Sequence, residues 1–147
     1  MAIRPLPALA VAAALAPAAL HAQQAPRSVT PEALAKYWQL IGSSLEASVP
    51  LGGRGLDVPG CATVSFVVEK DGSTSQIKVQ RVVPAGDLGR IAQSMASHMR
   101  FEPTVTNSGR GRVFSWLIFP FNSPADAAAR SAMMQPCAIK DLGWKDR

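Results

Sequence analysis

The chain has 147 residues, a formal net charge of +5 and 48% hydrophobic residues, which suits one small domain with extensions. Its bases (Arg27, Lys36, Arg54, Lys70, Lys78, Arg81, Arg90) are scattered without a run, so a dedicated nucleic-acid binder is excluded on composition. Modest basicity allows peripheral attraction to anionic envelope surfaces and nothing closer to a membrane.

Residues 1–22 read as a secretory signal peptide: Arg4, an apolar run from Leu6 to Leu20, and Leu20-His21-Ala22 at the cleavage site. That run is about 15 residues and holds Pro7 and Pro17, whereas a spanning helix needs about 20. The reading is therefore cleavage and export. Residues 23–59 then hold a leader, a helix and a loop. Gln23 to Val29 is polar and predicts a short flexible leader. Thr30-Pro31-Glu32 predicts a helix start, and Leu34, Tyr37, Trp38, Ile41 and Leu45 make one apolar stripe at helical spacing through about Ser48. The glycines and prolines of Val49 to Pro59 predict a connecting loop.

Gly60 to Val83 is locally the best-specified stretch. Ala62, Val64, Phe66 and Val68 alternate, as do Ile77 and Val79, and Lys70-Asp71-Gly72-Ser73 lies between the two runs. Gly72 takes positive φ at little cost, so a β-hairpin with a tight reversal follows. Pro84-Ala85-Gly86-Asp87 ends it and caps a second helix, whose stripe is Leu88, Ile91, Ala92, Met95 and Met99. Arg100-Phe101-Glu102-Pro103 ends that helix, because the residue before a proline leaves the α region. Phe101 should fold under the helix end. The third strand runs from Val113 to Phe121 and is apolar on both faces; Pro120, which cannot donate to a ladder, assigns it to a sheet edge. Its Phe114, Trp116 and Ile118 face needs a cover, from the first helix, the tail or a partner.

The fold class is α+β: a ββαβ core whose three-stranded antiparallel sheet has the order 2-1-3 and is packed by a helix, with an extra N-terminal helix and a short C-terminal one. The tail, residues 123–147, starts a short Ala-rich helix at Ser123-Pro124-Ala125-Asp126, and Pro136-Cys137 ends it. Trp144 reads as a packing residue. In an exported chain the even pair Cys61 and Cys137 favours a disulfide that staples the tail to the first sheet strand; two separate buried thiols are the alternative. The cysteines stand far apart and His98 is the sole histidine left after cleavage, so no metal site is expected. His98 lies off its helix stripe with no sequence-evident acid or nucleophile beside it, so no catalytic residue and no cofactor are assigned.

Residues 60–122 resemble the C-terminal domain of the TonB family of periplasmic energy transducers. The resemblance is carried by Gly60 opening the first strand, Asp71-Gly72 at the turn, Ile77 and Val79, Leu88 and Ile91, Arg100-Phe101-Glu102-Pro103, and Phe119-Pro120-Phe121. It implies a periplasmic, non-enzymatic binding module whose last strand pairs with a short peptide of an outer-membrane TonB-dependent transporter. Carried over, the pairing edge is Arg112, Val113, Phe114, Ser115, Trp116, Leu117, Ile118 and Phe119, with Phe114 and Trp116 either pocket walls or buried under the protein's own helix. With no membrane anchor or long Pro-rich spacer in view, the expectation is a soluble adaptor rather than a force transmitter. The competing expectation is a structural or adaptor envelope protein whose sheet edge is closed by its own tail or by homodimerisation, since exposed edges must be managed.

Overall fold

The computed structural model describes residues 24–42 and 52–144. The signal peptide, Leu45 with the expected end of the first helix near Ser48, and the start of the loop after it lie outside the described residues.

The leader is not the loose segment its composition implies. Arg27–Ser28 form a two-residue strand, β1. Thr30 is extended and Pro31 opens a helix of a single turn, α1 (Pro31–Leu34). The Lys36 and Tyr37 amides close onto the Ala33 and Leu34 carbonyls, and the chain then becomes a strand, β2 (Trp38–Leu40), where the stripe predicted continued helix. One helical turn is a poor nucleus, and the backbone at Trp38 has a strand partner to bind. Leu34 and Trp38 are both buried in one cluster, so the apolar spacing was right about burial and wrong about backbone.

The hairpin is as expected, with β3 (Gly60–Val68) and β4 (Thr74–Val83) antiparallel. Every residue of β3 is buried, as befits the centre of a sheet covered on both faces. At the turn, the Gly72 amide donates to the Glu69 carbonyl and Asp71 Oδ1 accepts from the Ser73 amide (2.9 Å) and hydroxyl (2.6 Å). Gly72 has φ +82°, and a Cβ there would come 2.0 Å from the Phe101 carbonyl oxygen. Two constraints thus demand glycine: a left-handed backbone and the strand that docks on it through Phe101 N–H···O Gly72 (2.9 Å).

Helix α2 (Leu88–His98) lies on β3 and β4 and buries Leu88, Ile91, Ala92 and Ala96, with Met99 following at its end. Asp87 stands at the cap position, but its side chain does not cap; Oδ2 instead accepts the Arg54 amide at 2.8 Å and so ties down the preceding loop. Arg100-Phe101-Glu102-Pro103 leads directly into a short strand, β5 (Phe101–Pro103), paired antiparallel with β2. Phe101 is buried and stacks on Phe66, ring centroids 6.0 Å apart.

Strand β6 (Val113–Phe121) pairs with β3 along its whole length, from Val68↔Val113 to Gly60↔Phe121. The order is β1-β6-β3-β4. The three long strands therefore stand as the sequence predicted, with a short parallel strand added outside β6.

The second face of the sheet is covered by the tail. Helix α3 (Ala127–Met134) is capped by Asp126, whose Oδ2 accepts the Ala129 amide at 2.7 Å. Cys61 and Cys137 are joined in a disulfide spanning 76 residues. Thr63 Oγ1 donates to the Cys137 carbonyl, and Arg81 Nη1 donates to the carbonyls of Pro136 and Ala138, each at 3.1 Å. Beyond this anchor Leu142 and Trp144 lie over Val67, Phe114 and Trp116. No helix of the described residues is long and apolar enough to cross a membrane.

Candidate functional site: the outer edge of β6

An antiparallel strand turns alternate residues toward its partner. In β6 the even-numbered residues present their amides and carbonyls away from β3, because Arg112 and Phe114 bond the leader: Arg27 N–H reaches the Arg112 carbonyl and Val29 N–H the Phe114 carbonyl, each at 3.0 Å. The pairing is parallel, Arg27↔Val113 and Ser28↔Phe114, and it stops there. The Val29 carbonyl accepts from Ser115 Oγ (3.1 Å) and Thr30-Pro31 turns the chain into α1, which packs against β6. Among the described residues no strand pairs with this edge beyond Phe114. Pro120 shares the outward parity, so its missing N–H costs no ladder bond.

The eight residues assigned from the sequence thus divide. Arg112 is half-buried, and its Nε and Nη2 donate to the Glu69 carboxylate at 2.6 and 2.9 Å while Nη1 donates to the Gln24 carbonyl at 3.2 Å. Val113, Ser115 and Phe119 are buried, and Val113 and Phe119 join the core under the helices. Leu117 and Ile118 are half-buried. Phe114 and Trp116 are not walls of an open groove: only 6% and 4% exposed, they sit beneath the chain's own tail, with the Trp144 ring edge-on to Phe114 at 5.7 Å. A strand apolar on both faces must bury both; the helices cover one, and the disulfide-anchored tail covers this one. The expectation that the tail closes the sheet edge is corrected as well: the tail covers the face, and the leader covers the start of the edge.

The Glu69 carboxyl is held below its ordinary value, first by the hydrogen bonds from Arg112 and against the opposing cost of burial; Ser75 Oγ also donates to it. Arg112 is correspondingly raised by Glu69. This pair closes one side of an open depression of about 940 Å³ between the leader, the hairpin turn and the loop before β6. Gln24, Arg27, Lys70 and Asp71 line it too, so both signs of charge face the space.

Residues missed from sequence are Arg27, Ser28 and Val29 at the edge, with Tyr37 beside them. Arg27 Nη1 donates to the Tyr37 hydroxyl at 3.0 Å, and its guanidinium stands 5.2 Å from the ring centroid. A two-residue strand has no period to detect, so only the single β-branched Val29 before Thr30-Pro31 hinted at it. His98 is exposed on α2, where Nδ1 lies 2.8 Å from the Ser94 carbonyl and 3.4 Å from Ser97 Oγ. Among the described residues no group of three His, Cys, Asp or Glu side chains is placed to hold a metal ion.

Fold and site together define an α+β domain: a mixed sheet with helices on one face, a stapled tail on the other, and one edge partly occupied by its own leader. Among solved structures the chain is similar to the TonB C-terminal domain of Pseudomonas aeruginosa, solved by solution NMR. The identity is 22%, the match covers 58% of this chain and 85% of that one, and the TM-score is 0.41. No family model and no curated protein matches the chain.

Proposed function

We propose that the chain is a non-enzymatic, exported protein-interaction module that receives an extended peptide of an outer-membrane transporter by strand addition at β6. The observation that supports it is the state of that edge: the leader pairs with Val113 and Phe114, and from Ser115 to Phe121 no strand of the described residues lies outside it. Strand addition draws affinity from main-chain groups and selectivity from alternate side chains. Trp116, Leu117, Ile118 and Phe119 make the first pairing, and Arg112, Val113, Phe114 and Ser115 join once the leader yields. The sequence motifs of residues 60–122 supply the partner class, and the signal-peptide pattern supplies the periplasmic location. The test is a titration of the chain with transporter-derived peptides, followed by backbone amide shifts. Shifts concentrated at Trp116 to Phe119 support the reading; shifts elsewhere with that stretch unmoved remove it.

The leader strand itself favours a second reading, an envelope adaptor whose edge is closed by its own chain. In that case peptides of any sequence leave the β6 amides unmoved, and the partner docks on another surface or is a second copy of the chain.

A further inference from the structure

We infer that the start of the β6 edge is a seat for extended segments of one chemical pattern, proline–base–hydroxyl–branched apolar, and that residues 26–29 are its resident, displaceable occupant. The inference rests on the strand-addition reading and deepens it. The pattern is read from what each leader residue meets. Pro26 is buried. Arg27 sets its guanidinium over Tyr37, within 3.0 Å of the hydroxyl and 5.2 Å of the ring centroid, an arrangement that selects a cation. Ser28 Oγ accepts the Trp144 amide at 2.9 Å, which a small hydroxyl side chain does and a bulky one does not. Val29 packs against the main core, and its carbonyl takes the Ser115 hydroxyl. The main-chain bonds to Arg112 and Phe114 are blind to sequence; these four side-chain positions are not.

The backbone pairing that holds the occupant is short. Both residues of β1 are exposed, its ladder is two residues long, and the cation–ring contact is at the surface. Pro31 has no N–H with which to extend the ladder, and Thr30 just before it lies between the pairing segment and α1. A tethered segment nevertheless acts at an effective concentration on the order of millimolar. An outside peptide of equal strength therefore binds well only after the leader is released. The class of partner is an exported or envelope protein presenting this pattern in an extended segment.

The probe is a fluorescent peptide copying residues 24–30 (Gln-Ala-Pro-Arg-Ser-Val-Thr), titrated against the full chain and against two full-chain variants. Arg27→Pro/Val29→Pro removes both backbone donors of the leader; Arg27→Glu leaves the donors in place and removes the cation, so the test survives if the double proline variant does not fold. Arg27→Pro/Val29→Pro is expected to bind the peptide at least ~ten-fold more tightly than the unaltered chain, and Arg27→Glu ~three-fold more tightly. A peptide carrying the Arg27→Glu change should bind them ~three-fold more weakly than its parent, and adding Tyr37→Leu to the protein should erase that difference. Equal binding of the two peptides, or no gain in either variant, overturns the inference, and transporter peptides still shifting the Trp116 to Phe119 amides would leave strand addition standing. Loss of those shifts as well is the separate failure of the functional reading.

Discussion

Strand β4, at one side of the sheet, exposes Gln76, Lys78 and Arg81 and is irregular against β3, with register breaks between Thr63 and Val64 and between Ser65 and Val67. Gln76 there has φ +51°. Strand β6, toward the other side, keeps unbroken register with β3 over nine residues, carries apolar side chains on both faces, and is part-covered by a leader. Charge and bulges blunt an edge permanently, because they spoil the straight ladder another chain needs. A two-residue paired leader covers only the start of an edge, and the straight ladder continues past it. The two edges are therefore protected in different ways, and Arg81 adds a further contrast: on β4 it holds the tail carbonyls and so serves the fold.

The comparison breaks most completely if the backing of both edges is removed. Cys61→Ala/Cys137→Ala frees a tail closed over 76 residues and should cost about 4 kcal/mol on chain-entropy grounds, read by denaturant unfolding. It should also uncover Phe114 and Trp116, seen as a shift in tryptophan emission, and so turn the β6 edge into an aggregating one while β4 stays soluble. Gly72→Ala strikes the hairpin that joins β3 to β4 and docks β5. With a positive φ and a Cβ 2.0 Å from the Phe101 oxygen, it should cost about 3 kcal/mol in the same assay.

Glu69→Gln sharpens the contrast from the β6 side alone. It removes the charge-assisted bonds to Arg112, which bonds the leader at Gln24, and should cost about 1–2 kcal/mol near neutral pH. Because the folded carboxyl is held below its ordinary value of 4.5, its contribution is fully present above that pH and fades as pH falls through the lower folded value. Stability curves of wild type and variant should therefore converge in acid; parallel curves would assign the loss to packing. Smallest in stability is Lys78→Val on β4, expected within about 0.5 kcal/mol, with self-association rising as the edge loses its charge. If instead its solubility is unchanged, charge is not what guards β4.

Much of this was legible where the pattern is long and local. The hairpin reads from alternation through Val68 and Val79, and α2 from a stripe whose members are all buried or half-buried. What sequence could not carry was settled by partners distant in the chain. Trp38 belongs to a helical stripe by spacing and to a strand in fact, because β5 pairs with it and Gly111 takes its indole N–H at 3.1 Å. For Phe114 and Trp116 the sequence left open a groove wall or a cover from the first helix, the tail or a partner, because the tail that buries them is fixed by Cys137 and lies far along the chain. At the candidate site, Val113 to Phe119 were legible as part of a strand, while the leader over its start left no period to read.

Which edge a peptide joins is read directly by backbone amide hydrogen exchange on the peptide-saturated chain. New protection at Trp116 and Ile118, with the β4 amides exchanging as before, is the expected result. Protection gained along β4, or none on either strand at saturation, would contradict it.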